Sequence, residues 1–96
     1  MTVAVALPQL VFFYSPRSGQ SRRAEGYLAQ VLQRRHNLET FSLLRVDVVA
    51  HPELAERFTI TSTPTLLVIA DGGVRARLSE LHGCREITKV LQPWLK

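Results

Sequence analysis

Two short, uninterrupted apolar runs constrain this chain of 96 residues more than any other feature. Residues 10–14 (LVFFY) end at Ser15 and Pro16, and residues 65–70 (TLLVIA) end at an Asp-Gly-Gly sequence. Short runs of aromatic and branched side chains that stop at turn residues are typical of strands covered on both faces. The chain is therefore predicted to form a sheet with other elements packed on each side.

The rest of the sequence predicts helices and further strands. From Gly19 to about Arg35, apolar residues recur at helical spacing; they are Ala24, Tyr27, Leu28, Val31 and Leu32. The other predicted elements are a strand at 41–49, a short helix at 51–58, a strand at 74–79 and a helix at 84–91. In the strand at 74–79, Val74, Ala76 and Leu78 alternate with polar residues and are expected to share one apolar face.

The resulting order β-α-β-α-β-β-α predicts an α/β fold, with a central mixed four-stranded sheet and helices on both faces. A strand reached through a long helix is expected to be parallel to the first strand, so two parallel strands are predicted in the middle of the sheet. A chain of this length forms one domain, here residues 1–96. Residues 1–8 are expected to be a frayed leader.

The number of cysteines limits which disulfides and metal sites the chain can form. Cys84 is the single cysteine, which excludes an internal disulfide, and no cysteine–histidine cluster has zinc-site spacing, so neither a metal nor a cofactor is expected. Stability must come from packing, which suits a reducing cytoplasm. No basic residue precedes Arg17, which argues against a secretory signal and favours a cytoplasmic location.

The net charge of +4 is carried by ten Arg and two Lys. A dense basic stripe interleaved with aromatic residues is absent, so no nucleic acid is expected. The first apolar run is too short to span a bilayer, so no membrane is expected either. An acidic protein or peptide partner is compatible with the charge, and the chain is expected to be a monomer or a weak homo-oligomer.

The second half of the chain carries a family resemblance. Residues 52–58 (PELAERF), Ile60, residues 63–66 (TPTL) and Gly83 resemble the corresponding segments of the thioredoxin family. With the element order, the likeness extends over residues 10–95. It implies a cis peptide bond before Pro64 and a Thr63 backbone that pairs with extended peptides.

The same resemblance places residues 17–22 (RSGQSR) on the family's redox-active turn. Ser18 then takes the position of the nucleophilic cysteine, Ser21 that of the resolving cysteine, and Phe12 that of a proton-transferring aspartate. A serine hydroxyl cannot form a disulfide, so no dithiol–disulfide exchange is expected. Ser18 is predicted to cap the following helix rather than to act as a nucleophile, which would need a histidine base.

The predicted function is therefore that of a redox-inactive module that binds a protein or peptide at the former active surface. The predicted partner-binding residues are Arg17, Ser18, Gly19, Gln20, Thr63, Pro64, Gly83 and Cys84. A predicted anion site, formed where guanidinium groups lie beside the N–H groups of a helix start, comprises Arg17, Arg22 and Arg23.

Two alternatives stay open. Cys84 follows Gly83, which the resemblance places beside the Pro64 turn, so a one-cysteine thiol enzyme or a glutathione-adduct protein is possible. A weaker similarity to the KaiB-like family, at residues 21–24, 47–55, 63–66 and 74–75, implies a clock-type signalling module. The turn at residues 71–73 and the thioredoxin-like residues 58–60 favour the thioredoxin fold without a switch of fold.

Overall fold

The computed structural model describes residues 7–79 and 81–95, without the side chains of residues 35, 36 and 38. Its elements are β1 (Gln9–Tyr14), α1 (Gly19–Gln33), a 3-10 helix (Arg34–Glu39), β2 (Ser42–Asp47), α2 (Pro52–Arg57), β3 (Thr65–Ala70), β4 (Gly73–Leu78) and α3 (Cys84–Leu91). The predicted order is confirmed, and β3 and α3 have the predicted bounds. The 3-10 helix was not predicted. Most of the predicted leader, residues 1–6, lies outside the described residues.

The sheet is mixed and four-stranded, as predicted, in the order β2-β1-β3-β4. β1 is parallel to β2 and antiparallel to β3. The prediction of two parallel strands in the middle was wrong, because β2 lies at an edge and the central pair is antiparallel. The two central strands, β1 and β3, are the most apolar ones, and a strand in the centre of a sheet has both of its faces buried. β2 instead carries Leu43 and Leu44, which are 44% and 46% exposed.

Side chains of β1 alternate between two apolar clusters on opposite faces of the sheet. Leu10 and Phe12 belong to the larger cluster, which includes residues of α1 and α3. Val11 and Phe13 belong to the smaller one, against which Leu54 and Phe58 pack. Helices therefore cover both faces, and the start of α1 is held at the end of β1 by packing on the larger cluster.

The edge strand β4 contains a bulge that changes which residues face the core. Val68 pairs with Ala76, whereas Ile69 pairs with Val74, so Arg75 is an extra residue between them. Val74 is consequently 45% exposed and does not share the face of Ala76 and Leu78, contrary to the prediction. An insertion of one residue reverses the face of everything beyond it, because side chains alternate along a strand.

Within residues 7–79 and 81–95, no helix is long and apolar enough to cross a membrane. The same residues contain no group of three or more His, Cys, Asp or Glu side chains that could hold a metal ion.

Candidate functional site

Both serines of the turn between β1 and α1 bind backbone groups. Ser18 has extended backbone angles, and its Oγ accepts a hydrogen bond from the Ser21 N–H at 3.1 Å, which is the predicted helix cap. Ser21 is 2% exposed, and its own Oγ accepts from the Ser15 N–H at 3.1 Å. The Ser18 N–H donates to the Ser15 carbonyl at 3.1 Å. The hydroxyl groups thus hold the turn together, a role that sequence reasoning found for Ser18 and missed for Ser21.

Two stacked aromatic side chains, those of Phe12 and Tyr14, lie beneath this turn. Phe12 is 1% exposed, and its ring stacks on that of Tyr14 with centroids 6.1 Å apart. The Arg45 guanidinium lies over the Tyr14 ring, 5.2 Å from its centroid, and forms an ion pair with Glu25. This ion pair could not be predicted from the sequence, because its partners lie on β2 and α1 and meet only in the folded protein.

A groove of about 300 Å³ lies between the first half of α1 and the loop before β3. Its lining residues are Gln20, Arg23, Tyr27, Ser62, Thr63, Pro64, Ser79, Leu81 and His82. Of the residues predicted to bind a partner, only Gln20, Thr63 and Pro64 line it. Tyr27, Leu81 and His82 were not predicted to line it. Tyr27 could have been found, because it lies four residues after Arg23 on α1 and therefore on the same side of the helix.

The loop before β3 forms one wall of the groove. The Thr63–Pro64 peptide bond is cis, and Pro64 is buried. The Thr65 hydroxyl donates to the Ser62 carbonyl at 2.7 Å, which closes the loop on itself. Among the described residues, no hydrogen bond engages the backbone of Thr63. Thr63 is half-buried and lines the groove, and its backbone donor and acceptor are without a partner among the described residues.

The three arginines predicted to form one anion site have different surroundings. Arg23 lines the groove, whereas Arg22 lines a smaller depression on the other side of the turn, together with Glu25 and Arg45. Arg17 lines neither and is exposed. A side chain on Gly19 would have its Cβ 3.6 Å from Arg23 Nη1 and 3.9 Å from Arg22 Nη2, so both guanidinium groups reach the first turn of α1.

Cys84, predicted to lie at the rim beside Pro64, is not among the residues that line the groove. The preceding residues Leu81 and His82 do line the groove, but the chain then turns into α3. The Cys84 sulfur lies within hydrogen-bonding distance of two acceptors on α1, the Tyr27 carbonyl at 3.7 Å and Gln30 Oε1 at 3.1 Å. Gly83, the cap residue of α3, is likewise absent from the groove lining.

We expect Cys84 to be no faster an alkylation target than free cysteine. It is half-buried, and its sulfur already contacts the Tyr27 carbonyl and Gln30 Oε1 on α1, which restricts the approach of the reagent. The rate of reaction with iodoacetamide, measured from pH 6 to 9 on the folded protein, checks this. Free cysteine and the urea-unfolded protein are the controls, and a folded-state rate above both would contradict the prediction.

Comparison with known proteins decides the family. The family model described as Thioredoxin matches residues 2–95, nearly the whole chain. The chain belongs to the thioredoxin family. A search of curated proteins gave no match.

Solved structures similar to this thioredoxin-family protein include the germline-specific thioredoxin Deadhead of Drosophila melanogaster. It is 19% identical with a TM-score of 0.80, over 93% of this chain and 82% of that one. The thioredoxin of Fasciola hepatica is 19% identical with a TM-score of 0.79, over 92% and 81%. A malarial protein is 15% identical with a TM-score of 0.80, over 95% and 100%. At these identities the structures show a shared fold.

Proposed function

We propose that this thioredoxin-family protein is a redox-inactive binding module that holds an extended segment of a partner protein in the groove beside Thr63 and Pro64. The observation that carries the proposal is the Thr63 backbone. Its N–H and carbonyl groups have no partner among the described residues, and they border a groove large enough for side chains. An extended peptide satisfies such groups by strand-like pairing, while the groove supplies side-chain contacts.

Cysteine count supports the absence of dithiol chemistry. Thiol–disulfide exchange within one chain needs an attacking thiol and a second thiol that resolves the mixed disulfide. This chain has one cysteine, and that thiol contacts α1 at the Tyr27 carbonyl and at Gln30 Oε1. The hydroxyls of Ser18 and Ser21 instead accept backbone hydrogen bonds. A chain without disulfides also suits the reducing cytoplasm, where we propose that the protein acts.

Nuclear magnetic resonance tests the binding mode. The probe is a degenerate library of blocked octapeptides, added to uniformly ¹⁵N-labelled protein. We expect shifts of the amide signals of Gln20, Arg23 and Thr63, with slower hydrogen exchange at the Thr63 amide because it becomes a donor to the peptide. The amide of Gly72, in the hairpin turn at the far end of β3, is the internal control. A library that shifts no signal of the groove at millimolar concentration would rule the proposal out.

A double cysteine variant tests whether Ser18 and Ser21 occupy the positions of the lost cysteines. We expect Ser18→Cys/Ser21→Cys, made together with Cys84→Ser, to form an intramolecular disulfide under mild oxidation. The side chain of Ser18 already lies 3.1 Å from the Ser21 backbone nitrogen, so the two new sulfur atoms would start close together.

Intact mass after alkylation of free thiols gives the readout of this test. Ser15→Cys/Ser21→Cys is not a suitable control, because Ser15 also contacts Ser21. Ser18→Cys/Arg57→Cys is better, since Arg57 ends α2 and that helix packs on the other face of the sheet. If the Ser18/Ser21 variant stays fully alkylated in the conditions that oxidise a dithiol, the two serines are not in the cysteine positions.

The one-cysteine enzyme and the clock-type module remain predictions from the sequence. No contact in the described residues favours the first, since the thiol contacts α1 and Cys84 is not among the residues that line the groove. The second is not favoured by the hairpin of β3 and β4, which is the ordinary thioredoxin arrangement.

A further inference from the structure

We infer that the groove selects a peptide segment in which one apolar side chain and one carboxylate side chain lie two positions apart, with the carboxylate bound by Arg23. This inference rests on the proposed function, because it names the ligand class of the same groove. Residues two apart in an extended peptide point to the same side, so both side chains can enter the groove together.

The apolar requirement comes from part of the lining. Pro64 and Leu81 are buried, and Tyr27 packs against the larger core cluster. Leu81 belongs to that cluster and Pro64 directly precedes the buried strand β3, so an apolar ligand group is desolvated against a surface that does not need to rearrange. The volume of about 300 Å³ lies at the lower end of the range of roughly 300–1,000 Å³ for ligand sites, which suits side chains rather than a cofactor.

The carboxylate requirement comes from an uncompensated charge. Among the described lining residues, Arg23 is a cation and none carries a carboxylate. No ion pair involves Arg23 within residues 7–79 and 81–95. The first turn of α1 contains no acidic residue, and Glu25, farther along the helix, is paired with Arg45. Among the residues that the structure describes, the guanidinium in the groove therefore has no anionic partner.

A single guanidinium group favours a carboxylate over a phosphate. Its planar pair of donors matches the two oxygens of a carboxylate, and its one positive charge balances one negative charge. A phosphate monoester near neutral pH carries about 1.5 to 2 negative charges and needs more than one cation for the same balance. Arg22 lines the depression on the other side of the turn, and among the described residues Arg23 is the arginine that lines the groove.

Three matched peptide libraries test the inference by fluorescence anisotropy. Each is a blocked, labelled octapeptide with a central Leu and one variable residue two positions away, in both orders, and the remaining positions are random uncharged residues. The variable residue is Glu, Gln or phosphoserine. The proteins are wild type, Arg23→Ala, Arg23→Lys and, as the matched helix-surface control, Arg57→Ala.

We expect wild type to bind the Glu library about fivefold more tightly than the Gln library, since a partly exposed ion pair contributes up to roughly 1 kcal/mol. The preference should vanish in Arg23→Ala, shrink in Arg23→Lys, which keeps the charge without the planar fork, and persist in Arg57→Ala.

Each contrary outcome overturns a specific part of the inference about the ligand of the groove. Equal binding of the Glu and Gln libraries to wild type overturns the carboxylate selectivity and leaves the proposed function standing. A preference that survives in Arg23→Ala overturns the role of Arg23, and tighter binding of the phosphoserine library overturns the choice of carboxylate over phosphate. Binding of none of the libraries to wild type overturns the proposed function itself.

Discussion

Replacing Phe12 by alanine is expected to lower the free energy of unfolding by about 4 kcal/mol, the middle of the range of roughly 3–5 kcal/mol for such core truncations. The ring is 1% exposed, lies in the larger core cluster and stacks on Tyr14. Its removal leaves a cavity directly beneath the turn that carries both serines. A domain of this size has a total stability of about 5–15 kcal/mol, so the variant retains little margin. Urea unfolding followed by circular dichroism measures the loss.

Phe12→Leu is the companion variant in case the alanine protein does not fold. It keeps an apolar side chain at the same site, so we expect a loss of only about 1–2 kcal/mol. Comparing the losses in the free energy of unfolding of the two variants separates two effects. Phe12→Leu removes the stacked ring but keeps most of the apolar volume, whereas Phe12→Ala removes both. Truncation of a buried ring lowers the free energy of unfolding by roughly 3–5 kcal/mol. A loss of less than about 1.5 kcal/mol in Phe12→Ala would therefore show that Phe12 is not a core residue.

Replacing Ser21 by alanine is the second largest expected effect, a loss of about 1–2 kcal/mol in the free energy of unfolding. The buried Oγ accepts from the Ser15 N–H, and alanine leaves that backbone donor without its partner. The loss is expected even though serine to alanine removes a single atom and makes the site more apolar. Thermal or urea unfolding of the pure variant checks the value.

Ser18→Ala is the matched variant for this test, with an expected loss of about 1 kcal/mol from removal of the helix cap. The two serines are linked, because the Ser21 N–H donates to the Ser18 hydroxyl. We therefore expect the double variant to lose less than the sum of the single losses, since each single change already loosens the same turn. A Ser21→Ala protein as stable as wild type would show that its buried hydroxyl does not hold the turn.

Much of the fold was predictable from local patterns. The apolar runs of β1 and β3 are strands because no other short element buries every side chain, and the periodic apolar residues of α1 face the core. The order of the strands was not predictable in the same way. Which strand lies beside β1 depends on pairing between residues far apart in sequence, and the antiparallel β1–β3 pair takes the centre because both strands are apolar on both faces.

The candidate site was predictable in part. The Thr63–Pro64 loop and Gln20 were found because local sequence resembles a known family. The remaining lining comes from side chains whose direction is set by packing. Tyr27 turns toward the groove because its neighbours Ala24 and Leu28 fill the core, while Arg22 and Arg23, adjacent in sequence, diverge to opposite sides of the turn. Adjacent residues on a helix point about 100° apart, so the two arginines line different depressions although both guanidinium groups lie near Gly19.

The sequence by itself determined the types and order of the strands and α-helices and the helix cap at Ser18. It also excluded a disulfide within the chain, since a disulfide needs two thiols and the chain has one cysteine. Only the tertiary structure decided where the remaining thiol points. Cys84 begins α3, and the packing of that helix against α1 places its sulfur beside the Tyr27 carbonyl. The difference is one of range: a cap or a strand pattern depends on neighbours within a few residues, whereas the direction of Cys84 depends on a contact across 57 positions of the chain.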